Sequence, residues 1–311
     1  MNSVPPNKGP VLRPPHLQPG DRVAVVAPAG PYDNAMLARG IAIWTARGFD
    51  VHVPERLDQR EEYLAGSDWW RAEVLHTALR DPSIKALLCA RGGYGSLRLF
   101  DRLEIDLFRE FPKPLVGFSD ITALQLECWR KTQLVTFSGP MIAGSQLGRL
   151  SEEETDIYFR TLTDPAPPPE MGGPDVHTVL SGSAEGILLG GNLTLLTHMA
   201  AAGRLPNLRG AILFFEDIHE APYRVDRMLT TLRLGGHLDG VAGFAVGDLG
   251  DNMDDVLLDT ILMDRVGDLG VPIAVGFPIG HGSRNRIIPL GVPVRLTTAP
   301  PGLQFLAGGV S

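Results

Sequence analysis

The chain has 311 residues, 44% of them hydrophobic and 21% charged, with a formal net charge of −8. That length suits roughly two domains of about 100–200 residues with a sizeable core, and the acidic balance gives no general attraction to nucleic acid or an anionic membrane. Its two cysteines, Cys89 and Cys128, each sit in an apolar run and are expected as buried free thiols of a reducing, cytoplasmic compartment rather than a disulfide framework.

Residues 1–16 are rich in proline and lack an apolar core segment, so a disordered tail is expected rather than a secretory signal. Residues 21–27 predict a first strand, with a turn at Pro28–Ala29–Gly30–Pro31. A helix over 34–47 ends at Gly48, and a strand follows over 49–53. Next come a helix over 68–79, a strand over 84–89, the glycine-rich turn Arg91–Gly92–Gly93–Tyr94–Gly95, and a helix over 96–103. The apolar run 114–118 predicts a short buried strand, and from Ser119–Asp120 the residues Ile121, Leu124, Leu126 and Trp129 fall near helical spacing.

Strands alternating with helices predict an α/β fold with a doubly wound parallel sheet. Its functional crevice lies beyond the strands' carboxyl ends, where the turns after Ala27, Ala90 and Phe118 would meet. Five prolines and two glycines between 164 and 174 read as a linker. Beyond it, strands over 178–181, 186–190, 211–215, 241–246, 273–277 and 292–297 and helices over 192–201 and 225–234 predict a second mixed α/β domain. The most apolar long stretch, 186–203, is broken by Asn192, Thr194, Thr197 and His198, so no membrane span is expected.

Three residues at the ends of apolar strands can carry chemistry. Ser119 lies between a strand and a helix, where a sharp turn exposes a hydroxyl beside the helix's free N–H groups. Ile121 replaces the last glycine of Gly-x-Ser-x-Gly, and the same local pattern fits a helix N-cap. Glu216 follows the run 211–215 and is placed either to orient an imidazole or simply to face water. His281 has glycine on both sides, which leaves the ring uncrowded; a structural loop histidine is the plainer reading.

Together they form a serine, an acid and a base in that chain order, and a triad is defined by roles rather than order. Ser119 would attack, His281 would take its proton, and Glu216 would fix the imidazole. The oxyanion donors would be the Asp120 amide and the Gly92–Gly93 turn. That turn lacks the Lys-Ser/Thr ending of a phosphate loop. The cluster Glu216–Asp217–Ile218–His219–Glu220 raises the alternative of a metal-dependent hydrolase, but its spacing is not His-Glu-x-x-His, so no metal is expected. Tyr223, Arg224 and Arg227 are candidates for the cleft wall. A substrate carboxylate calls for a guanidinium, with Arg91, Arg224, Arg284 and Arg286 as candidates and Tyr94 beside them.

The motifs Gly20–Gly30, Ala90–Gly95, Gly117–Thr122, Gly190–Leu193, Phe215–Ile218, Tyr223–Arg227 and Gly280–Gly282 resemble the LD-carboxypeptidase family of serine peptidases, over nearly the whole chain. The resemblance implies a flavodoxin-like N-terminal domain over 17–150 carrying the nucleophile and a linker over 151–185. It also implies a smaller swivelling C-terminal domain over 186–311 supplying the acid and histidine. Ser119, Glu216 and His281 fall on the family's nucleophile, acid and base, and Gly92, Gly93 and Asp120 on its oxyanion donors.

It further implies a cytoplasmic homodimer without cofactor or metal. Such an enzyme removes the terminal D-alanine from an L,D-bond of recycled murein tetrapeptides, through an acyl-enzyme. One branch of the family, similar to microcin C self-immunity proteins, hydrolyses aminoacyl-adenylate mimics and carries an aromatic residue in the inter-domain loop; residues 164–186 hold no Trp, Tyr or Phe. A non-catalytic peptide-binding protein on the same fold is the remaining alternative.

Overall fold

The computed structural model describes residues 10–250 and 252–311. The N-terminal lobe runs β1 (Arg22–Val26), α1 (Asn34–Ala46), β2 (Asp50–His52), α2 (Asp68–Arg80), β3 (Ile84–Cys89), α3 (Leu107–Glu110), β4 (Leu115–Gly117), α4 (Ile121–Thr132), β5 (Thr136–Ser138) and α5 (Glu152–Thr163). The chain continues through β6 (Met171–Gly172), β7 (His177–Leu180), β8 (Ser183–Asn192), α6 (Leu193–Ala201), β9 (Ala211–Glu216), α7 (Pro222–Leu234), β10 (Gly243–Val246), α8 (Asp255–Val266), β11 (Ile273–Val275), β12 (Ile288–Leu290), β13 (Pro293–Thr298) and β14 (Pro301–Phe305).

The doubly wound sheet is present. β1 to β5 run parallel in the order β2-β1-β3-β4-β5, the flavodoxin-like arrangement. Its inner strands β1, β3 and β4, with β5, are almost wholly buried, as strands covered by helices on both faces must be, while β2 lies at the more open edge. The second sheet has a parallel centre, β8-β9-β10-β11, with antiparallel β7 on one edge and β13, β14 and β6 on the other.

β12 belongs to neither half alone. It lies between β11 and β13 in the chain, yet pairs antiparallel with β5 of the first sheet, Ile288 opposite Ser138. The chain therefore leaves the second sheet, crosses to the first, and returns.

α4 is the hinge of the packing. Ile121, Leu124 and Cys128 face the core of the first lobe, while Ala123, Leu126 and Trp129 face Leu193 and Leu196 in the core of the second. At its first turn the lobes touch backbone to side chain: Gly191 has φ +147°, and a Cβ there would stand 2.4 Å from the Thr122 side chain.

Two segments differ from expectation. Residues 1–9 of the expected tail lie outside the described residues, but residues 10–16 are bonded into the fold. Leu12 bridges Gln133 and Val135 at 2.9 Å each, and the His16 amide donates to the Ser311 carbonyl at 3.2 Å. The stretch 151–185 holds α5, capped by Ser151 and Glu154. The Tyr158 and Phe159 rings of α5 pack on Trp44 at 6.0 and 4.9 Å. The proline-rich part of that stretch continues into β6 and β7, edge strands of the second sheet.

Candidate active site

The site forms where the carboxyl ends of the two parallel sheets face each other. Ser119 follows β4 by two residues and holds φ +63°, a left-handed backbone that side chains adopt at a cost. It does not cap α4. Its carbonyl accepts from the Thr122 amide at 2.9 Å, and its hydroxyl turns into the cleft.

Asp120, 2% exposed, braces this elbow against the turn after β3: its Oδ2 accepts from the Ser96 amide at 2.8 Å and from Ser96 Oγ at 2.6 Å. Gly92 passes so close that a Cβ would stand 2.9 Å from Ser119 Cβ and 3.4 Å from the Asp120 nitrogen. The Gly92 carbonyl accepts from the Gly30 amide at 3.0 Å, and Gly93 has φ +102°. Only glycine lets this backbone approach a serine so closely. Below the turns, the buried Arg71 guanidinium donates to the carbonyls of Pro28 and Gly95, tying two of the three crevice turns together.

The second lobe brings Glu216 and His281 onto Ser119. Glu216 is the last residue of β9 and is buried. His281 Nδ1 lies 2.6 Å from Glu216 Oε2, and Nε2 lies 3.0 Å from Ser119 Oγ. A carboxylate only accepts, so Nδ1–H donates to Glu216 and Nε2 is left to accept the serine O–H. The Phe118 ring lies 4.8 Å from the imidazole. Burial pushes the His281 pKa down, but the Glu216 hydrogen bond and the charges of Glu216, Asp217 and Asp248 outweigh it and leave the pKa raised. A hydroxyl, an imidazole and a buried carboxylate in one hydrogen-bonded line can take a proton from the oxygen as it attacks and return it to a leaving group.

Asn192 holds the acid from behind. Its Nδ2 donates to Glu216 Oε1 at 3.3 Å and to Asp217 Oδ1 at 3.0 Å, and its backbone N–H donates to Thr122 Oγ1 at 3.0 Å. Asp217 is not a second cleft acid: it accepts from the Thr194 amide and hydroxyl at 2.9 and 2.8 Å, at the start of α6.

The guanidinium candidates already have protein partners. Arg91 donates to the Pro31 carbonyl at 2.9 Å, Arg224 pairs with Glu220 at 3.3 Å, and Arg284 pairs with Asp175 at 2.6 Å. Arg286 donates to the Pro169 and Glu170 carbonyls. Tyr94 is half-exposed, its ring 5.7 Å from that of Tyr63, a neighbour that sequence reasoning missed. Arg227 lies over the Tyr223 ring at 5.6 Å. Among the described residues, no three His, Cys, Asp or Glu side chains gather as a metal site, and no helix is long and apolar enough to cross a membrane.

Comparison with known proteins returns the same two lobes. The chain is 35% identical to the probable murein peptide carboxypeptidase of Bacillus subtilis, over 95% of each chain. The crystal structure of muramoyltetrapeptide carboxypeptidase from Oxalobacter formigenes matches with a TM-score of 0.81 at 32% identity, covering 92% of this chain and 98% of that one. The MccF-like protein from Bacillus anthracis matches with a TM-score of 0.87 at 26% identity, covering 94% and 99%. Family profiles for the LD-carboxypeptidase N-terminal domain, over residues 23–139, and the LD-carboxypeptidase C-terminal domain, over residues 185–296, both match, and the chain belongs to the LD-carboxypeptidase family.

Proposed function

We propose that the protein is a serine LD-carboxypeptidase that releases the terminal D-alanine from L,D-linked murein tetrapeptides. The observation that carries this reading is the unbroken line Ser119–His281–Glu216, drawn from both lobes. Ser119 Oγ attacks the carbonyl before D-alanine while its proton passes to His281 Nε2. The oxyanion is met by amides of the Asp120 and Gly92–Gly93 backbone. His281 then gives the proton to the departing amine, leaving an acyl-enzyme. Water next loses a proton to His281, attacks the acyl carbon, and restores Ser119 as the shortened peptide leaves.

The two buried free cysteines fit a reducing cytoplasm, and the family's habit supports a homodimer. Mass spectrometry of a purified tetrapeptide is the test, read as loss of one alanine. Ser119→Ala is expected to lower turnover by about 10³-fold or more while the fold persists; D-alanine release at a comparable rate by that variant would sink the assignment.

The likeness to the MccF-like protein supports a second reading, hydrolysis of an aminoacyl-adenylate analogue. Cleavage of an aminoacyl sulfamoyl adenosine faster than the tetrapeptide would favour it. The absence of aromatic residues from 164–186 leaves that stretch nothing on which an adenine would stack.

A further inference from the structure

A ring with glycine on both sides is held only as well as its backbone is held. Around His281 the backbone is gripped from the opposite lobe. Gln146 lies in the stretch after β5, and its Nε2 donates to the carbonyls of Gly280 at 2.9 Å and Gly282 at 3.0 Å, the two neighbours of His281. Its Oε1 accepts from Asn285 Nδ2 at 2.9 Å. Asn285, 1% exposed, closes the ring by accepting the Gly280 amide on Oδ1 at 3.2 Å. Two carboxamides thus occupy three backbone groups of one loop.

The grip is fastened to the nucleophile's side. The amides of Ile142 and Ala143 donate to the carbonyls of Cys89 and Ala90 at 3.3 and 3.0 Å, where the chain enters the Gly92–Gly93 turn. Glu216 holds the imidazole from its own lobe; Gln146 holds the backbone beneath it from the other.

The geometry points to Gln146 and Asn285 as positioning residues that keep the His281 loop in register with Ser119. This rests on His281 being the base. A serine–imidazole contact of 3.0 Å does not survive a shift of about 1 Å, and a misplacement of that size costs up to about 10²-fold in rate.

The test measures kcat and KM on the tetrapeptide for Gln146→Ala, Asn285→Ala and the double variant, with the His281 titration followed by imidazole nitrogen NMR. In each variant kcat is expected to fall about 10–100-fold with KM within about twofold. The double variant falls no further than the worse single one, because both break the same ring. The His281 pKa moves down from its raised value as the ring leaves Glu216. Gln146→Glu keeps the acceptor for Asn285 but turns an oxygen toward two carbonyls, and is expected to lose at least as much as Gln146→Ala.

Unchanged kcat and titration in Gln146→Ala would overturn the inference. So would losses that multiply in the double variant, or a rise in KM alone. Gln146 is less deeply buried than Asn285, so its variants carry the test if Asn285→Ala fails to fold. A wild-type protein inert on the tetrapeptide, in which Gln146→Ala still lowers the His281 pKa, would sink the proposed activity and leave the clamp standing.

Discussion

The imidazole of His281 is balanced between two opposed effects, and Glu216 decides which prevails. With the carboxylate in place the pKa lies above its ordinary value, about 6.5. In the proposed mechanism the neutral ring is the working base, so kcat/KM is expected to rise with pH along a limb centred above that value. In Glu216→Gln the burial penalty faces only the charges of Asp217 and Asp248, so the limb is expected to move to lower pH. The same change is expected to cost about 10⁴-fold in kcat, since the tautomer is no longer fixed; a pH–rate profile of both forms checks each half of the statement. A limb that stays in place would mean that the carboxylate does not control the ring. The sign for stability follows from the same shift: the raised pKa favours the folded state fully below the unfolded value, and that contribution is lost as pH climbs through the folded one.

At this scale much of the site was legible in the sequence. Ser119, Glu216 and His281 each stand at or beyond the end of an apolar strand, and a parallel sheet sends such residues to one edge. Gln146, Asn285 and Asn192 carry no comparable mark. An amide side chain acquires its role only when its partners arrive from elsewhere in the chain.

Among the elements, long periodic segments were readable and very short ones were not. The strand over 84–89 and the helix over 68–79 are found within a residue of their expected ends. β5 and β12 have three residues each, too few for an alternation to register. The helix expected over 96–103 closes as a single tight turn at Ser96–Leu99, because Gly95 enters it at φ +132° and Asp120 holds Ser96 in place. α5 was hidden by the prolines that follow it, although Ser151 and Glu154 spell its capping box.

The junction of β8 with α4 gives an element-scale expectation. Gly191→Ala would drive a methyl into Thr122, at a backbone angle that favours glycine, and either α4 or β8 must yield. A loss of about 1–3 kcal/mol is expected, read as a lower denaturation midpoint. Turnover should fall as well, since Ser119 lies two residues before α4 and the neighbouring Asn192 donates to Glu216. A variant as stable and as active as the parent would show that the contact relaxes freely.

For the molecule as a whole, the first core is not confined to the first lobe, although the second lobe also keeps a cluster around Leu193, Leu213 and Phe244. Leu188, Phe214 and Val294 of the second sheet share one cluster with Val25, Leu88 and Phe137 of the first. β12 stitches the sheets together, and Pro14 and His16 are bonded to Ser311 in the same body. Unfolding by denaturant is therefore expected as a single transition, with fluorescence and circular dichroism coincident; two resolved steps would mean that the halves are independently stable. The sequence led to an expectation of two α/β units but not of this sharing, because a strand lent to a distant sheet looks like any other short apolar run.

The borrowed strand also constrains inheritance. A chimera that takes residues 185–311 from one relative and the rest from another would receive β12 with the imported half, yet must seat it on a β5 that never co-adapted with it. Gene fusions joined at the proline-rich stretch are thus the ones to lose register along that seam. Working hybrids should be found among those that keep residues 136–138 and 288–290 from the same parent.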